Sequence, residues 1–129
     1  VCLDIGSNIG QWTRPLSRKF ESVVCFEPNP NFRECFKKNI DENNVLLWPV
    51  GLSDKEHKAK QGFNSTVLQN EEGEIDCRTL DSFGLTNVDF VKIDVDGFEI
   101  PSLNGAKEHN LPTLPINTYN LIPERDQSI

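Results

Sequence analysis

The stretch Asp4-Ile5-Gly6-Ser7-Asn8-Ile9-Gly10 constrains this chain more than any other. An apolar run over 1–5, broken only by Asp4, stops at a loop with glycines four apart. Twenty-one positions after Gly6 a second apolar run, 23–26, ends on Glu27. Runs of that kind are strands covered on both faces. Between them Ile9, Trp12, Leu16 and Phe20 recur at roughly helical spacing. Pro15 either kinks that helix or falls in a first turn beginning near Thr13.

The same alternation continues along the chain. Asn29 followed by Pro30 is a side-chain cap with proline in the first turn. Phe32, Cys35, Phe36 and Ile40 then make one apolar face to pack on the sheet. A third strand is expected over 45–50, ending at Gly51-Leu52-Ser53-Asp54. Residues 55–73 are polar and irregular, with a hairpin expected from 65–68 through a turn at 70–73 to 74–79. Residues 80–85 read as a short helical piece. The run 88–95, VDFVKIDV, is a strand ending at Asp94-Val95-Asp96-Gly97, with Phe98-Glu99 opening a helix towards Leu103 and Ala106. Pro101 fits only within its first turn. Residues 113–121 make at best an edge strand, because Pro112, Pro115 and Pro123 flank or interrupt it. Alternating strands and helices give an α/β fold with a mostly parallel sheet and flanking helices.

In such sheets ligands bind beyond the carboxyl ends of the strands. Four strand tips carry small or acidic groups: Asp4 with Gly6, Glu27, Ser53 with Asp54, and Asp94 with Asp96. Glycines let backbone approach a ligand closely, and an acid at the next strand's tip accepts hydrogen bonds from ribose hydroxyls. That is a site for a nucleotide-bearing cofactor. A dinucleotide site wants glycines at the first, third and sixth positions of the loop. Here Asn8 fills the third and Gln11 the sixth, which weighs against a nicotinamide-dependent oxidoreductase.

Composition narrows the partners. The 129 residues fit a single domain, 1–129. The chain opens inside what reads as a strand and contains no Met, so we expect a partial domain truncated at both ends. A net charge of −7, with no basic cluster beyond Arg18-Lys19 and Lys37-Lys38, disfavours nucleic acid and suits a cationic ligand. Cys2, Cys25, Cys35 and Cys77 lack metal-ligand spacing and read as buried thiols in a reducing cytoplasm. No apolar run approaches the ~18 residues of a membrane span. His57 reads as solvated, and Trp12 and Trp48 as core.

The segments D-I-G-S-N-I-G at 4–10, F-E-P-N-P-N-F at 26–32, G-L-S-D at 51–54, R-T-L-D-S-F at 78–83, and F-V-K-I-D-V-D-G-F-E at 90–99, continuing into L-N-G-A at 103–106, stand in this order. In this the chain resembles the FkbM-type family of S-adenosylmethionine-dependent methyltransferases. The resemblance implies a Rossmann-like methyltransferase core with S-adenosyl-L-methionine as cofactor. It implies that Gly6, Ser7, Asn8 and Gly10 lie at the methionine and ribose portion, with Asp4 before them also expected to bind the cofactor. Glu27, with Pro28 and Asn29 after it, would hold the ribose, and Ser53 and Asp54 would lie near the adenine. Asp94 would lie beside the transferring methyl. Asp96 stands where members of the family often have Glu.

The expected reaction is methylation of a small-molecule or glycan hydroxyl, with Asp94 accepting the proton and Asp96 and Glu99 as alternates. Three carboxylates within six residues could instead hold Mg²⁺, though no metal is assigned. A non-catalytic or incomplete cofactor-binding fragment is the alternative. The acceptor and the oligomeric state are not legible in the residues.

Overall fold

Strand β1 (Cys2–Ile5) is the centre of the molecule, because both of its neighbours pair with it in parallel and leave it no open edge. The computed structural model describes residues 1–61, 67–68, 75–95, 98–107 and 116–118. From β1 the chain passes through helix α1 (Thr13–Lys19) to β2 (Val23–Phe26), then through α2 (Pro30–Asn39) to β3 (Val45–Trp48). Strand β4 (Gly51–Leu52), β5 (His57–Gln61), β6 (Val67–Leu68) and β7 (Ile75–Arg78) follow. A short 3-10 turn (Leu80–Phe83), β8 (Phe90–Ile93), α3 (Glu99–Asn104) and β9 (Ile116–Thr118) complete the order.

The main sheet runs β3-β2-β1-β8-β9, all parallel. Its order reverses at β1, where the chain leaves towards β2 on one side and returns as β8 on the other. This is the Rossmann-like arrangement of a mostly parallel sheet with flanking helices. Residues alternate between its two faces. Leu3, Ile5, Val24, Phe26, Val91 and Ile93 form one buried layer with Val50, Leu52, Leu80 and Ala106. Cys2, Val23 and Cys25 form the other, closed by Leu16, Phe36 and Ile40.

Local chemistry explains the helices. Pro15 falls in the first turn of α1, where its missing N–H has no intrahelical acceptor to lose. In α2 the Asn29 side chain accepts from the N–H groups of Asn31 (2.8 Å) and Phe32 (3.3 Å), with Pro30 following as the first helical residue. Asn29→Ala should therefore cost about 1 kcal/mol, read as a lower urea midpoint. An unchanged midpoint would show that the cap contributes nothing. Cys35 was expected on the buried face of α2 but is exposed; Phe36 alone of that helix is fully buried.

A second sheet, β4-β7-β5-β6, differs from the expected hairpin. Strand β5 lies between β6 and β7 and pairs antiparallel with both. The expected turn at 70–73 lies outside the described residues. The segment R-T-L-D-S-F shapes the fold. Thr79 caps the 3-10 turn, Leu80 is buried, and Phe83 meets Phe26 and Trp48 edge-on with Arg78 over its ring. Trp48 thus packs against the core as expected, whereas Trp12 is exposed. Among the described residues no helix is long and apolar enough to cross a membrane.

Candidate active site

The glycine turn after β1 is tied down from several sides. Gly6 and Ser7 both donate N–H to the Phe26 carbonyl, at 2.9 and 3.2 Å. The Gly10 N–H returns to the Ser7 carbonyl at 2.9 Å, and the Asn39 side chain donates to the Ile9 carbonyl at 2.8 Å. Three residues of the turn have positive φ: Gly6 (79°), Asn8 (54°) and Gly10 (93°). Asparagine tolerates that region because its short polar side chain bonds locally. Gly6 is required for a second reason. A Cβ there would lie 2.0 Å from the Asp94 carbonyl oxygen, so β8 can leave the sheet only past a bare backbone.

Beside this turn opens a cleft enclosing about 510 Å³ of non-atom space, its mouth included. Gly6, Asn8, Glu27, Pro28 and Asp94 line it, all expected from the sequence. Apolar residues complete the wall: Phe26, Phe32, Val50, Leu52, Val95 and Phe98 among them. Phe32 and Phe98 had been assigned only to helix faces or helix starts, although each lies within five residues of an acidic strand tip.

Of the two carboxylates that line the cleft, Glu27 and Asp94, Glu27 is the more buried. It is 6% exposed. One carboxylate oxygen accepts the Asn8 N–H at 2.8 Å and the other the Asn29 N–H at 2.9 Å. A carboxylate has about four acceptor positions, so each oxygen retains capacity for another donor. Burial raises its pKa above the ordinary 4.5, while the two N–H groups, Lys92 and Arg33 pull the other way. A diol brought against this carboxylate would supply the donors that burial took from it when water was removed.

Other expected site residues have different work. Asp4 is fully buried behind the turn, not in the cleft lining. Its carboxylate lies 2.9 Å from the Lys92 ammonium and accepts from the Thr13 hydroxyl at 2.6 Å. This corrects its assignment as a ligand contact: its carboxylate is turned to Lys92 and Thr13 behind the turn and does not line the cleft. Gly10 faces Ile40 and Phe36, where a Cβ would press on Ile40 at 2.7 Å, so it is a packing glycine. Ser7 is buried with its hydroxyl unpartnered. Asn29 spends its side chain on the α2 cap, but its N–H positions Glu27.

At the third tip, Gly51 and Leu52 reach the cleft, whereas Ser53 and Asp54 do not line it. Ser53 is fully buried and its hydroxyl meets Asp54 at 3.2 Å and the His57 ring at 3.0 Å. His57, expected to be solvated, is therefore half-buried and engaged. Asp94 is half-buried in the cleft wall, and its N–H donates to the Ile5 carbonyl at 2.9 Å. Glu99 is 2% exposed and accepts the Val95 N–H at 3.3 Å, holding its own helix start instead of facing the cleft. Asp96 lies outside the described residues. Among those described, no group of three or more His, Cys, Asp or Glu is placed to hold a metal.

The chain has a likeness among solved proteins. It is similar to the crystal structure of Methyltransferase FkbM from Methylobacillus flagellatus KT, with 21% sequence identity and a TM-score of 0.70. The match covers 91% of this chain and 32% of that one, so the chain spans about a third of that protein's length. At this identity the likeness concerns the fold. No curated protein matches. The family described as the methyltransferase FkbM domain matches residues 4–124. With nearly the whole chain matched, it belongs to the FkbM methyltransferase domain family.

Proposed function

We propose that this chain binds S-adenosyl-L-methionine in the cleft beside Gly6 and directs its methyl group to a hydroxyl of a small molecule or glycan. The observation that carries the reading is the buried Glu27 carboxylate, set by two backbone N–H groups at the strand tip next to the glycine turn. The residues fit an adenosyl group. Glu27 suits a ribose diol, and Phe26, Val50 and Leu52 offer an apolar wall for a base. Net negative charge favours a cation.

When bound, the cofactor supplies an electrophilic methyl on a sulfonium. The protein's part is geometric and electrostatic. Alignment of the two reactants can supply roughly 7–11 kcal/mol of the barrier. A carboxylate pressed on the sulfonium would favour the ground state, whose charge disappears on transfer. Glu27 is better used on the ribose, and Asp94 on the acceptor. A hydroxyl acceptor needs a proton acceptor in contact with it, and Asp94 stands in the cleft wall at the tip of β8, beside the cofactor strand. Asp96 is the alternate from the same tip. The free thiols of Cys2, Cys25, Cys35 and Cys77 suit a reducing cytoplasm.

Asp94→Asn tests the assignment. The variant should bind S-adenosylhomocysteine as the parent does and turn over ~10²–10⁴-fold more slowly, measured as methyl transfer to a panel of hydroxyl acceptors. Undiminished turnover would remove Asp94 from the mechanism.

A further inference from the structure

Lys92 has no place in the reading above, yet packing alone does not account for it. It sits in β8 between Val91 and Ile93, directly opposite Asp4 in register, and is 2% exposed. A buried ammonium is costly unless it is both paired and hydrogen-bonded. Lys92 is both: its Nζ lies 2.9 Å from an Asp4 oxygen and donates to the Gly6 carbonyl at 2.8 Å. Were stability the whole purpose, an apolar pair of similar volume would often do as well or better. An apolar pair cannot donate to the Gly6 carbonyl, nor place a positive charge behind the turn.

That carbonyl matters. The Gly6–Ser7 peptide is held at both ends, its C=O by Lys92 and its N–H by the Phe26 carbonyl. The next N–H, that of Asn8, is the one Glu27 accepts. Lys92 therefore holds the peptide immediately before the one whose N–H sets the Glu27 carboxylate. Charge counts the same way. Among the described residues three carboxylates are buried, Asp4, Glu27 and Glu99, against one buried ammonium.

We propose that Lys92 is a positioning residue of the cleft: its ammonium pins the Gly6 carbonyl and balances both Asp4 and Glu27, keeping the turn and the Glu27 carboxylate set for a ligand. Its functional meaning rests on the adenosyl-binding reading, but its physical content does not. The charged groups around Glu27 are Lys92 from β8, Asp94 just beyond β8, Asp4 from β1, and Arg33 from α2, whose guanidinium donates to the Glu27 and Pro28 carbonyls. Of these, Lys92 and Arg33 favour the ionised carboxyl against the effect of burial.

The test follows the Glu27 carboxyl carbon by NMR against pH in unliganded protein, alongside calorimetric titration with S-adenosylhomocysteine. Lys92→Met strands the Asp4 charge and can unfold the chain, so Asp4→Asn/Lys92→Met, which removes both charges, is compared with Asp4→Asn, which keeps the lysine. The double variant should raise the Glu27 midpoint by about one pH unit relative to Asp4→Asn and weaken S-adenosylhomocysteine about tenfold at neutral pH. Equal midpoints and equal affinities would overturn the proposal. The parent protein gives a reading that needs no variant. Its Lys92 ¹⁵Nζ resonance should move with the Glu27 midpoint, and a resonance indifferent to that titration also overturns it. If the midpoint moves but S-adenosylhomocysteine gives no heat even with the parent, the adenosyl reading fails and the Lys92 coupling stands.

Discussion

Gly6→Ala will not reach the native fold. Two independent costs meet at that position. The backbone holds φ at 79°, which disfavours any L side chain by roughly 1–2 kcal/mol. The new Cβ would also lie 2.0 Å from the Asp94 carbonyl oxygen and 2.8 Å from its carbon. Both are backbone atoms at the end of β8, and they cannot move aside as a flexible side chain would. Relief requires β1 and β8 to separate at the Ile5–Ile93 rung, in the middle of the sheet. The expected loss exceeds about 4 kcal/mol, most of the margin of a small domain. It is read as absence of a cooperative urea transition. Gly84→Ala is the control. Its φ is 60°, but nothing lies within 4 Å of the added atom, so it should cost only about 1–2 kcal/mol. Equal midpoints for the two variants would show that contact with Asp94 is irrelevant.

Glu27→Ala should have the largest effect on ligand binding. It removes the acceptors for a ribose diol and leaves the N–H groups of Asn8 and Asn29 without the oxygens they now use. A loss of about 1–3 kcal/mol is expected, or roughly 5- to 150-fold in the dissociation constant of S-adenosylhomocysteine. The pH dependence follows from the raised pKa. The fold favours the neutral carboxyl, so unliganded protein gains stability from Glu27 as pH falls through the raised value towards 4.5. Ligand affinity moves in the opposite direction across the same window, because protonation removes acceptor capacity. In Glu27→Ala this pH dependence of affinity should flatten. A variant with parental affinity and a parental pH profile would show that Glu27 does not touch the ligand.

The sheet centre was legible in the residues because its signals are dense. β1, β2 and β8 are apolar runs broken only by Asp4 in β1 and Lys92 in β8, and the glycine spacing fixes a turn between the first and its helix. The second sheet was hidden for a physical reason. Strand β5 reads His-Lys-Ala-Lys-Gln, and its one apolar residue, Ala59, packs into the apolar cluster with Ile75, Cys77 and Phe98. One small apolar residue makes no period. The third strand was expected to run to Val50 but stops at Trp48; Pro49 follows, and Gly51 and Leu52 join the other sheet.

The site divides similarly. A run such as Asp4–Gly10 mixes residues that meet the cleft with residues that shape the turn, and spacing cannot separate them. Gly6 and Asn8 meet it, whereas Asp4 and Gly10 bind the turn to β8 and α2. Nor does spacing show that Glu99 turns back onto the Val95 N–H while Asp94 lines the cleft. Lys92 could have been noticed as a lone charge in an otherwise apolar strand. Its meaning needed the register that places it opposite Asp4.

Calorimetric titration of the chain with S-adenosylhomocysteine, and separately with NAD, bears most directly on the central claim. A cleft built around Glu27 and the Gly6 turn should take up one S-adenosylhomocysteine per chain, give no heat with NAD, and lose that affinity in Glu27→Ala. Heat from NAD alone, or S-adenosylhomocysteine binding that ignores the loss of Glu27, would contradict it.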